Sequence, residues 1–258
     1  MKGPEPREIA FSLVAVSMSL GTSMHVIRYA GRNHSHAYGQ NLLWQQGNVY
    51  LMDNHRAAAW CWAQVVTPGE DYAIFHIDRH SDLLNLNELF QIAPPIETLS
   101  IERYLAEDYQ ANPTLRSLLF RWDNYMPIFI RQRERHLKAF NYVWHNVGDK
   151  PWFKEKACEK QAYDLPSNLA YWLDLGGPWI VNLDLDFFFA EGSGGGIFRM
   201  YSDDYIIKVA EALKEANAAG HIKCLTIAIS PEMCGGWDSG LRALDVFSSA
   251  FGLALPPL

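Results

Sequence analysis

Residues 179–187 read Trp-Ile-Val-Asn-Leu-Asp-Leu-Asp-Phe, an apolar run that turns acidic at its carboxyl end. A short apolar run of this kind is typical of a buried strand. In an extended chain, residues two apart point to the same side, so Asp184 and Asp186 would face one point at the end of this strand. The stretch therefore predicts a buried strand that delivers two carboxylates to its carboxyl end.

A second stretch, earlier in the chain, repeats the pattern. Residues 75–82 read Phe-His-Ile-Asp-Arg-His-Ser-Asp, and the same alternation would bring Asp78, His80 and Asp82 together. Four carboxylates packed near one another repel and hold protons unless a cation neutralises them. The two stretches together predict a metal site, whereas either stretch alone also fits ordinary polar residues at the strand ends of an acidic protein.

The order of strands and helices indicates the fold class. Strands are predicted at 48–52, 73–77, 179–187 and 222–229, and helices at 57–64, about 203–219, and around Leu241, Leu244 and Phe247. Repeated strand–helix order indicates a mainly parallel, doubly wound α/β sheet, in which sites gather at the carboxyl ends of the strands. We expect one domain over residues 1–258, a first buried strand at 9–20, a largely helical insertion at about 96–150, and Asp203 as a helix N-cap.

Two further candidate site residues also follow predicted strands. His55 comes after the strand at 48–52, and Glu232 comes after the strand at 222–229. Since the carboxyl ends of parallel strands lie on one side of a sheet, we expect both residues beside the acidic stretches. For Glu232, the alternative is a carboxylate at a helix N-terminus that backbone amides satisfy.

The composition excludes some classes of function. With 29 acidic and 22 basic residues among 258, the net charge of −7 argues against a general nucleic-acid surface and fits a cationic substrate. The four cysteines form no Cys-x-x-Cys pair, which is typical of reduced thiols in a cytoplasmic protein. Residues 9–20 are too few to span a membrane as a helix, and the glycine-rich loop at 192–196 lacks the ending of a phosphate-binding loop. We therefore expect a cytoplasmic protein that binds neither nucleic acid nor a membrane.

Three motifs resemble those of one enzyme family. They are Asp-Asn-His-Arg at 53–56, His-Ile-Asp-Arg-His-Ser-Asp at 76–82 and Asn-Leu-Asp-Leu-Asp-Phe at 182–187. Their order resembles the binuclear members of the arginase and deacetylase superfamily, and more closely a family of formerly uncharacterised proteins that includes peptide arginases. The resemblance spans roughly residues 48–236. It implies a three-layer α/β/α fold and conversion of arginine side chains in ribosomally made peptides to ornithine and urea.

The resemblance also implies roles for individual residues. One metal ion would be bound by His55, Asp78, Asp82 and Asp184, and the other by Asp78, His80, Asp184 and Asp186. Asp78 and Asp184 would then be bridging ligands. Carboxylates with two imidazoles and no thiolate favour two Mn²⁺ ions over Zn²⁺. Glu232 matches the position that grips the guanidinium group. The resemblance does not identify the proton shuttle: His145 and His76 are candidates, but His76 alternates with the ligands along the chain, and a lone histidine is more often structural.

Two departures from enzymes of free arginine favour a peptide substrate. Their second acidic motif continues to a third acid, whereas here Asp186 is followed by Phe-Phe-Phe-Ala at 187–190. Residues 83–87 also lack a copy of the loop that reads the α-groups of a free amino acid. An arginine-containing precursor peptide is therefore the expected partner, and a homo-oligomer is compatible with the sequence.

Two alternatives stay open at this point. One is a zinc-dependent deacetylase or amidohydrolase on the same fold, which would need only Asp78, His80 and Asp184 around a single metal ion. The other is a metal-dependent binder of cationic peptides that catalyses nothing. Release of urea in the presence of manganese would discriminate among the three hypotheses.

Overall fold

The computed structural model describes residues 22–258, which contain twelve strands and seven α-helices. The strands are β1 (Ser23–Ile27), β2 (Leu43–Gln46), β3 (Val49–Met52), β4 (Tyr72–Ile77), β5 (Asp108–Asn112), β6 (Leu115–Leu118), β7 (Leu137–Val143), β8 (Ala157–Glu159), β9 (Trp179–Asp184), β10 (Phe189–Glu191), β11 (Ile197–Arg199) and β12 (Ile222–Ala228). The helices are α1 (Ala58–Ala63), α2 (Asn87–Ile92), α3 (Ile101–Ala106), α4 (Tyr125–Gln132), α5 (Leu165–Asp174), α6 (Asp203–Ala218) and α7 (Trp237–Phe251). The predicted strands at 48–52, 73–77 and 222–229 and all three predicted helices are confirmed.

Eight of the strands form one sheet in the order β1-β2-β3-β12-β9-β4-β7-β8. The pairs from β3 to β8 are parallel, and β1 and β2 add an antiparallel edge. In the middle of the sheet, Leu225 of β12 aligns with Val49 of β3 on one side and with Val181 of β9 on the other. The carboxyl ends of β3, β12, β9 and β4 therefore lie next to one another.

Helices cover both faces of this sheet and form two hydrophobic cores. On one face, α5, α6 and α7 bury side chains such as Leu169 and Phe247 against the strands. On the other face, α1, α3 and α4 bury side chains such as Trp62. Strand residues alternate between the two cores, so that in β4 Phe75 belongs to the first and Ile74 to the second. The predicted α/β fold, with three layers and a mainly parallel sheet, is confirmed.

The N-terminus of α6 differs from the prediction by one residue. Its N-cap is Ser202, whose hydroxyl accepts a hydrogen bond of 3.3 Å from Tyr205 N, and the expected cap Asp203 is instead the first helical residue. An aspartate is favourable there because it faces the positive end of the helix dipole. At the other end, Gly220 with φ +80° leads the chain out of the helix, as predicted.

The segment 96–150 is not largely helical, so that prediction was wrong. Besides α3 and α4, it contains the β5–β6 hairpin and the whole of β7. β7 is a strand of the central sheet between β4 and β8, and it buries Phe140 and Val143. Aromatic and β-branched residues favour strands, so the Phe, Tyr and Val of β7 were a signal for a strand that the prediction did not use.

Two other expectations concern the start of the chain and the membrane. The strand predicted at 9–20 lies outside the described residues. Within residues 22–258, no helix combines the length and the apolar character that a membrane span requires.

Candidate metal centre

A cavity of about 440 Å³ opens where β3, β12, β9 and β4 end. Four of the six predicted metal ligands line it, namely His55, His80, Asp82 and Asp186. The other two, Asp78 and Asp184, are fully buried and contact these residues. Glu232 lines the same cavity. The structure therefore brings all seven side chains to one place.

Five of these residues form two groups that could each hold a metal ion. His55, Asp78 and Asp82 make the first group, and Asp78, His80 and Asp186 make the second; within each, the ligand atoms lie within 4.8 Å of one another. Asp78 belongs to both groups, as a bridging carboxylate would. Its Oδ2 has no hydrogen-bond partner among the described residues, although the side chain is completely buried. Such an oxygen is costly to bury, and a cation would satisfy it.

Asp184, the second predicted bridge, belongs to neither group. Its Oδ2 accepts a hydrogen bond of 2.5 Å from Ser230 Oγ and contacts His55 Nδ1 closely. Its Oδ1 accepts a hydrogen bond of 2.9 Å from Asp186 N. In this arrangement the carboxylate holds a ligand of each group, His55 and Asp186, in place.

Apart from Asp184, the candidate ligands lie on irregular backbone and not on extended strands, so the prediction that alternation along a strand makes them converge was wrong. β4 ends at Ile77 and Asp82 has a φ of 51°, while β9 ends at Asp184 and Asp186 lies in a 3-10 helix, Leu185–Phe188. The side chains converge for another reason. Asp78 Oδ1 accepts a hydrogen bond of 2.6 Å from the amide of His80, and Asp184 makes the same contact with the amide two residues later. Each first aspartate thus closes a tight turn that brings back the ligand after it.

Gly148 allows the loop that carries His80 and Asp82 to pack against the segment after β7. The φ of Gly148 is +113°, and a Cβ there would lie 2.3 Å from Ser81 Oγ. The amide of Ser81 donates a hydrogen bond of 2.9 Å to Val147 O. Only glycine fits this close approach with this backbone conformation.

Burial and the neighbouring charges shift the pKa values of the ligands strongly. Burial raises the pKa of Asp78 well above its ordinary value, and the charges of Asp82 and Asp186 raise it further. Burial likewise raises the pKa of Asp82 and of Asp184. In His55, burial lowers the pKa, but the charges of Asp82 and Asp184 outweigh it and raise the pKa to about 10. The cluster by itself therefore retains protons that a metal ion would displace.

A chain of buried hydrogen bonds holds Asp82 from the side of the sheet. Tyr125 donates a hydrogen bond of 3.0 Å to Asp82 Oδ2, and Asn182 Nδ2 donates to Tyr125 Oη at 3.0 Å. Thr226 Oγ1 in turn donates to Asn182 Oδ1 at 2.8 Å. Asn182 lies in β9, two residues before Asp184, and its place in this motif could have marked it as a residue of the site. Tyr125 lies in α4, and nothing in the sequence around it pointed to the site.

Neither histidine predicted as a proton shuttle is among the cavity-lining residues of the described chain. His76 accepts a hydrogen bond from Asn182 and donates one of 3.1 Å to His80 O, and burial lowers its pKa to about 3. His76 is thus a neutral group that holds the ligand loop. His145 packs against Phe187 with 5.1 Å between ring centroids, and burial lowers its pKa. Its Nε2 has no hydrogen-bond partner among the described residues.

Glu232 lies in a 3-10 helix, Pro231–Met233, at the cavity wall. Its Oε1 accepts hydrogen bonds from the amides of Ser35 at 2.5 Å and His36 at 3.4 Å. Backbone amides do satisfy one oxygen, but they come from the loop before β2 and not from the helix of Glu232 itself. No described residue donates to Oε2. The carboxylate thus keeps one oxygen for a ligand in the cavity.

Comparisons with known proteins give matches among solved structures. No protein-family model and no curated protein matches the sequence. Among solved structures, the chain is similar to an arginase of Entamoeba histolytica, whose crystal structure was determined in complex with L-ornithine. The two are 14% identical in sequence, the match covers 80% of this chain and 69% of the arginase chain, and the TM-score is 0.46.

Proposed function

We propose that this protein is a binuclear metal hydrolase that removes urea from arginine side chains of a peptide and leaves ornithine. One observation carries the proposal. Two ligand groups that share Asp78 lie in the same cavity as a carboxylate, Glu232, that retains one free oxygen. The ligand groups suit the activation of water, and the free carboxylate oxygen suits a cationic side chain.

The donor set fits a pair of Mn²⁺ ions. It consists of carboxylates and two imidazoles with no thiolate, a combination that suits Mn²⁺ better than Zn²⁺. His55, Asp78 and Asp82 would hold one ion, and Asp78, His80 and Asp186 the other. Bound ions would lower the pKa of a water molecule and so supply a hydroxide nucleophile near neutral pH.

Glu232 would bind and orient the guanidinium group. Its Oε1 is fixed by the amides of Ser35 and His36, so the carboxylate is held before the substrate arrives. The free Oε2 would accept a charge-assisted hydrogen bond from a guanidinium N–H. Water would add its oxygen to the guanidinium carbon, the bond from that carbon to Nε would break, and the two protons of the water would end on Nε. Urea is then released, and the peptide keeps a protonated ornithine side chain.

The lining of the cavity supports a peptide substrate over free arginine. No arginine or lysine side chain of the described residues lines it, whereas Asp123 and Asp149 do. The α-carboxylate of free arginine would find no arginine or lysine to pair with there and would lie near the carboxylates of Asp123 and Asp149. An arginine within a peptide has no α-carboxylate. A precursor peptide of ribosomal origin, in which the flanking residues are also bound, is therefore the proposed substrate.

The experiment is incubation of the Mn²⁺-loaded protein with a synthetic peptide that contains one arginine. We expect the peptide to lose the guanidine carbon and two nitrogens in the mass spectrum, with an equal amount of urea released. A matched lysine peptide and the Asp78→Ala variant are the controls, and both should give no product.

The same assay separates the alternatives. Removal of acetyl groups from an acetyl-lysine peptide, with a single bound Zn²⁺ and no urea, would favour the deacetylase. Tight binding of the arginine peptide without turnover under any divalent metal would favour a binding protein. A strong preference for free arginine over the peptide would overturn the peptide assignment.

A further inference from the structure

The four residues of the turn after β3, Asp53, Asn54, His55 and Arg56, act on two different parts of the site. His55 belongs to the first ligand group, whereas the other three side chains contact the loop at 35–42, which precedes β2. We propose that Asp53 is a positioning residue that holds this loop so that its amides fix the carboxylate of Glu232. This inference rests on the proposed function, in which Glu232 binds the guanidinium group.

Asp53 is the anchor of the loop. Its side chain is fully buried and accepts five hydrogen bonds from loop residues. Oδ1 accepts from Gln40 Nε2 at 2.9 Å and from the amides of Asn41 and Leu42, both at 2.8 Å. Oδ2 accepts from Asn41 Nδ2 at 2.8 Å and from the hydroxyl of Ser35. A buried charge is tolerated because donors surround it, and here every donor belongs to one irregular segment.

The two neighbours of His55 add contacts to the same loop. Asn54 Nδ2 donates a hydrogen bond of 2.8 Å to His36 O. Arg56, which is also buried, donates to Tyr38 O and, from Nε, to Phe120 O at 3.0 Å. The turn thus holds the loop at several points along its length, with Asp53 making most of the bonds.

The loop then meets Glu232 through its backbone. Ser35 links Asp53 to Glu232, because its hydroxyl donates to Asp53 and its amide donates to Glu232 Oε1 at 2.5 Å. The backbone of Asp53 also accepts a hydrogen bond of 3.0 Å from the amide of Ser230, two residues before Glu232. Asp53 is therefore bonded to Ser35 through its side chain and, through its backbone, to Ser230 at the start of the segment that carries Glu232. A shift of Asp53 would thus change the aim of the carboxylate.

The test is Asp53→Asn in the full-length, Mn²⁺-loaded protein. An asparagine places an NH₂ group against donors whichever way the amide turns, because both oxygens of Asp53 accept from donors. We expect amide hydrogen exchange at 35–42 to accelerate by about tenfold or more while the bound Mn²⁺ is retained, since hydrogen bonds to charged groups are among the stronger ones. For an arginine peptide, KM should rise by about the same factor, with a smaller change in kcat.

The control is Asp71→Asn, because Asp71 is an exposed carboxylate that pairs with Lys138 away from the cavity. It should change neither loop exchange nor KM. If Asp53→Asn does not fold, Ser35→Ala removes one bond to Asp53 and keeps the amide that reaches Glu232, and it should show the same two effects to a smaller degree. Unchanged exchange at 35–42 with unchanged KM in the folded variants would overturn the inference.

Hydrogen exchange separates this inference from the proposed function, because it needs no turnover. Glu232→Gln should accelerate exchange of the Ser35 and His36 amides in its own right. If both variants do so but the wild-type protein releases no urea from any peptide, the positioning of Glu232 by Asp53 stands and the proposed function fails. If urea is released but neither variant alters the loop, the function stands and the positioning role of Asp53 fails.

Discussion

Tyr125 donates a hydrogen bond of 3.0 Å to Oδ2 of Asp82, and both side chains are buried. The ring of Tyr125 also stacks on the imidazole of His55, with 5.2 Å between ring centroids. One side chain of α4 therefore supports two of the three residues in the first ligand group. The second group, which contains His80 and Asp186, receives no contact of this kind from Tyr125.

The first prediction follows from this asymmetry. Tyr125→Phe keeps the ring and removes the hydrogen bond to Asp82, so affinity for the ion at the first group should fall by about 10- to 100-fold. Affinity at the second group should change little. Titration of the metal-free protein with Mn²⁺ measures both. Tyr142→Phe, which removes a long contact of 3.4 Å to Glu159, is the matched control. Equal weakening of both ions would contradict the assignment.

The second prediction concerns the ligand that the two groups share. Because Asp78 belongs to both groups and Asp186 to one, Asp78→Ala should abolish binding of both ions, whereas Asp186→Ala should chiefly empty one site. Metal content after gel filtration, measured by mass spectrometry, checks this. Asp245→Ala, an exposed residue of α7, should retain the wild-type content. One tightly bound ion in the wild type, unaffected by Asp186→Ala, would exclude a binuclear centre.

The third prediction separates two properties of Ser230. Its hydroxyl donates to Asp184, and its backbone is left-handed, with φ 43° and ψ 59°. Ser230→Ala and Ser230→Gly both remove the hydroxyl, so both should weaken metal binding to a similar degree. Glycine relieves the strain of the left-handed backbone, so the glycine variant should be more stable to unfolding than the alanine variant by about 1 kcal/mol. Denaturant titrations of the metal-free variants measure the difference.

The fourth prediction concerns recognition of the cationic side chain. Glu232→Gln keeps the volume of the side chain and removes its charge. A charge-assisted hydrogen bond contributes about 1.5 to 3 kcal/mol, so turnover or affinity for an arginine peptide should fall by about 10- to 150-fold. The bound Mn²⁺ should be retained. Steady-state kinetics and metal content decide the matter, and wild-type kinetics in the variant would remove Glu232 from the proposed site.

The candidate metal ligands were accessible from the sequence because the order of the strands brings the segments that carry them together. Among the candidate ligands, His55 follows β3, Asp78 follows β4 and Asp186 follows β9, and parallel strands present such residues on one side of the sheet. The local geometry was not accessible in this way. The alternation of side chains along an extended strand suggested that the ligands converge. In the structure they converge through tight turns that aspartate side chains close, and such turns depend on hydrogen bonds that the pattern of hydrophobic residues does not reveal.

The residues that support the site were largely missed. Ser35 and Tyr125 contact the site residues from segments distant in the sequence, and nothing in their local patterns marks them. Ser230 stands at the carboxyl end of β12, where its position was a signal, but its bond to Asp184 was not predicted. Asp53 is different, because it stands in the motif that also contains His55. Only its burial and its five donors show what it does. Such contacts are decided by tertiary packing, which periodicity does not encode.

The position of β12 determines when the site can form during synthesis. β12 lies between β3 and β9 in the sheet, yet it follows both in the chain. Until residues 222–228 have left the ribosome, the strands that carry His55 and Asp184 have no partner to set the distance between them. Contacts between strands so far apart in sequence also form slowly. The first ligand group, which contains His55, therefore cannot be completed before β12 joins the sheet, whereas the residues of the second group follow β4 and β9, which pair directly and precede β12 in the chain.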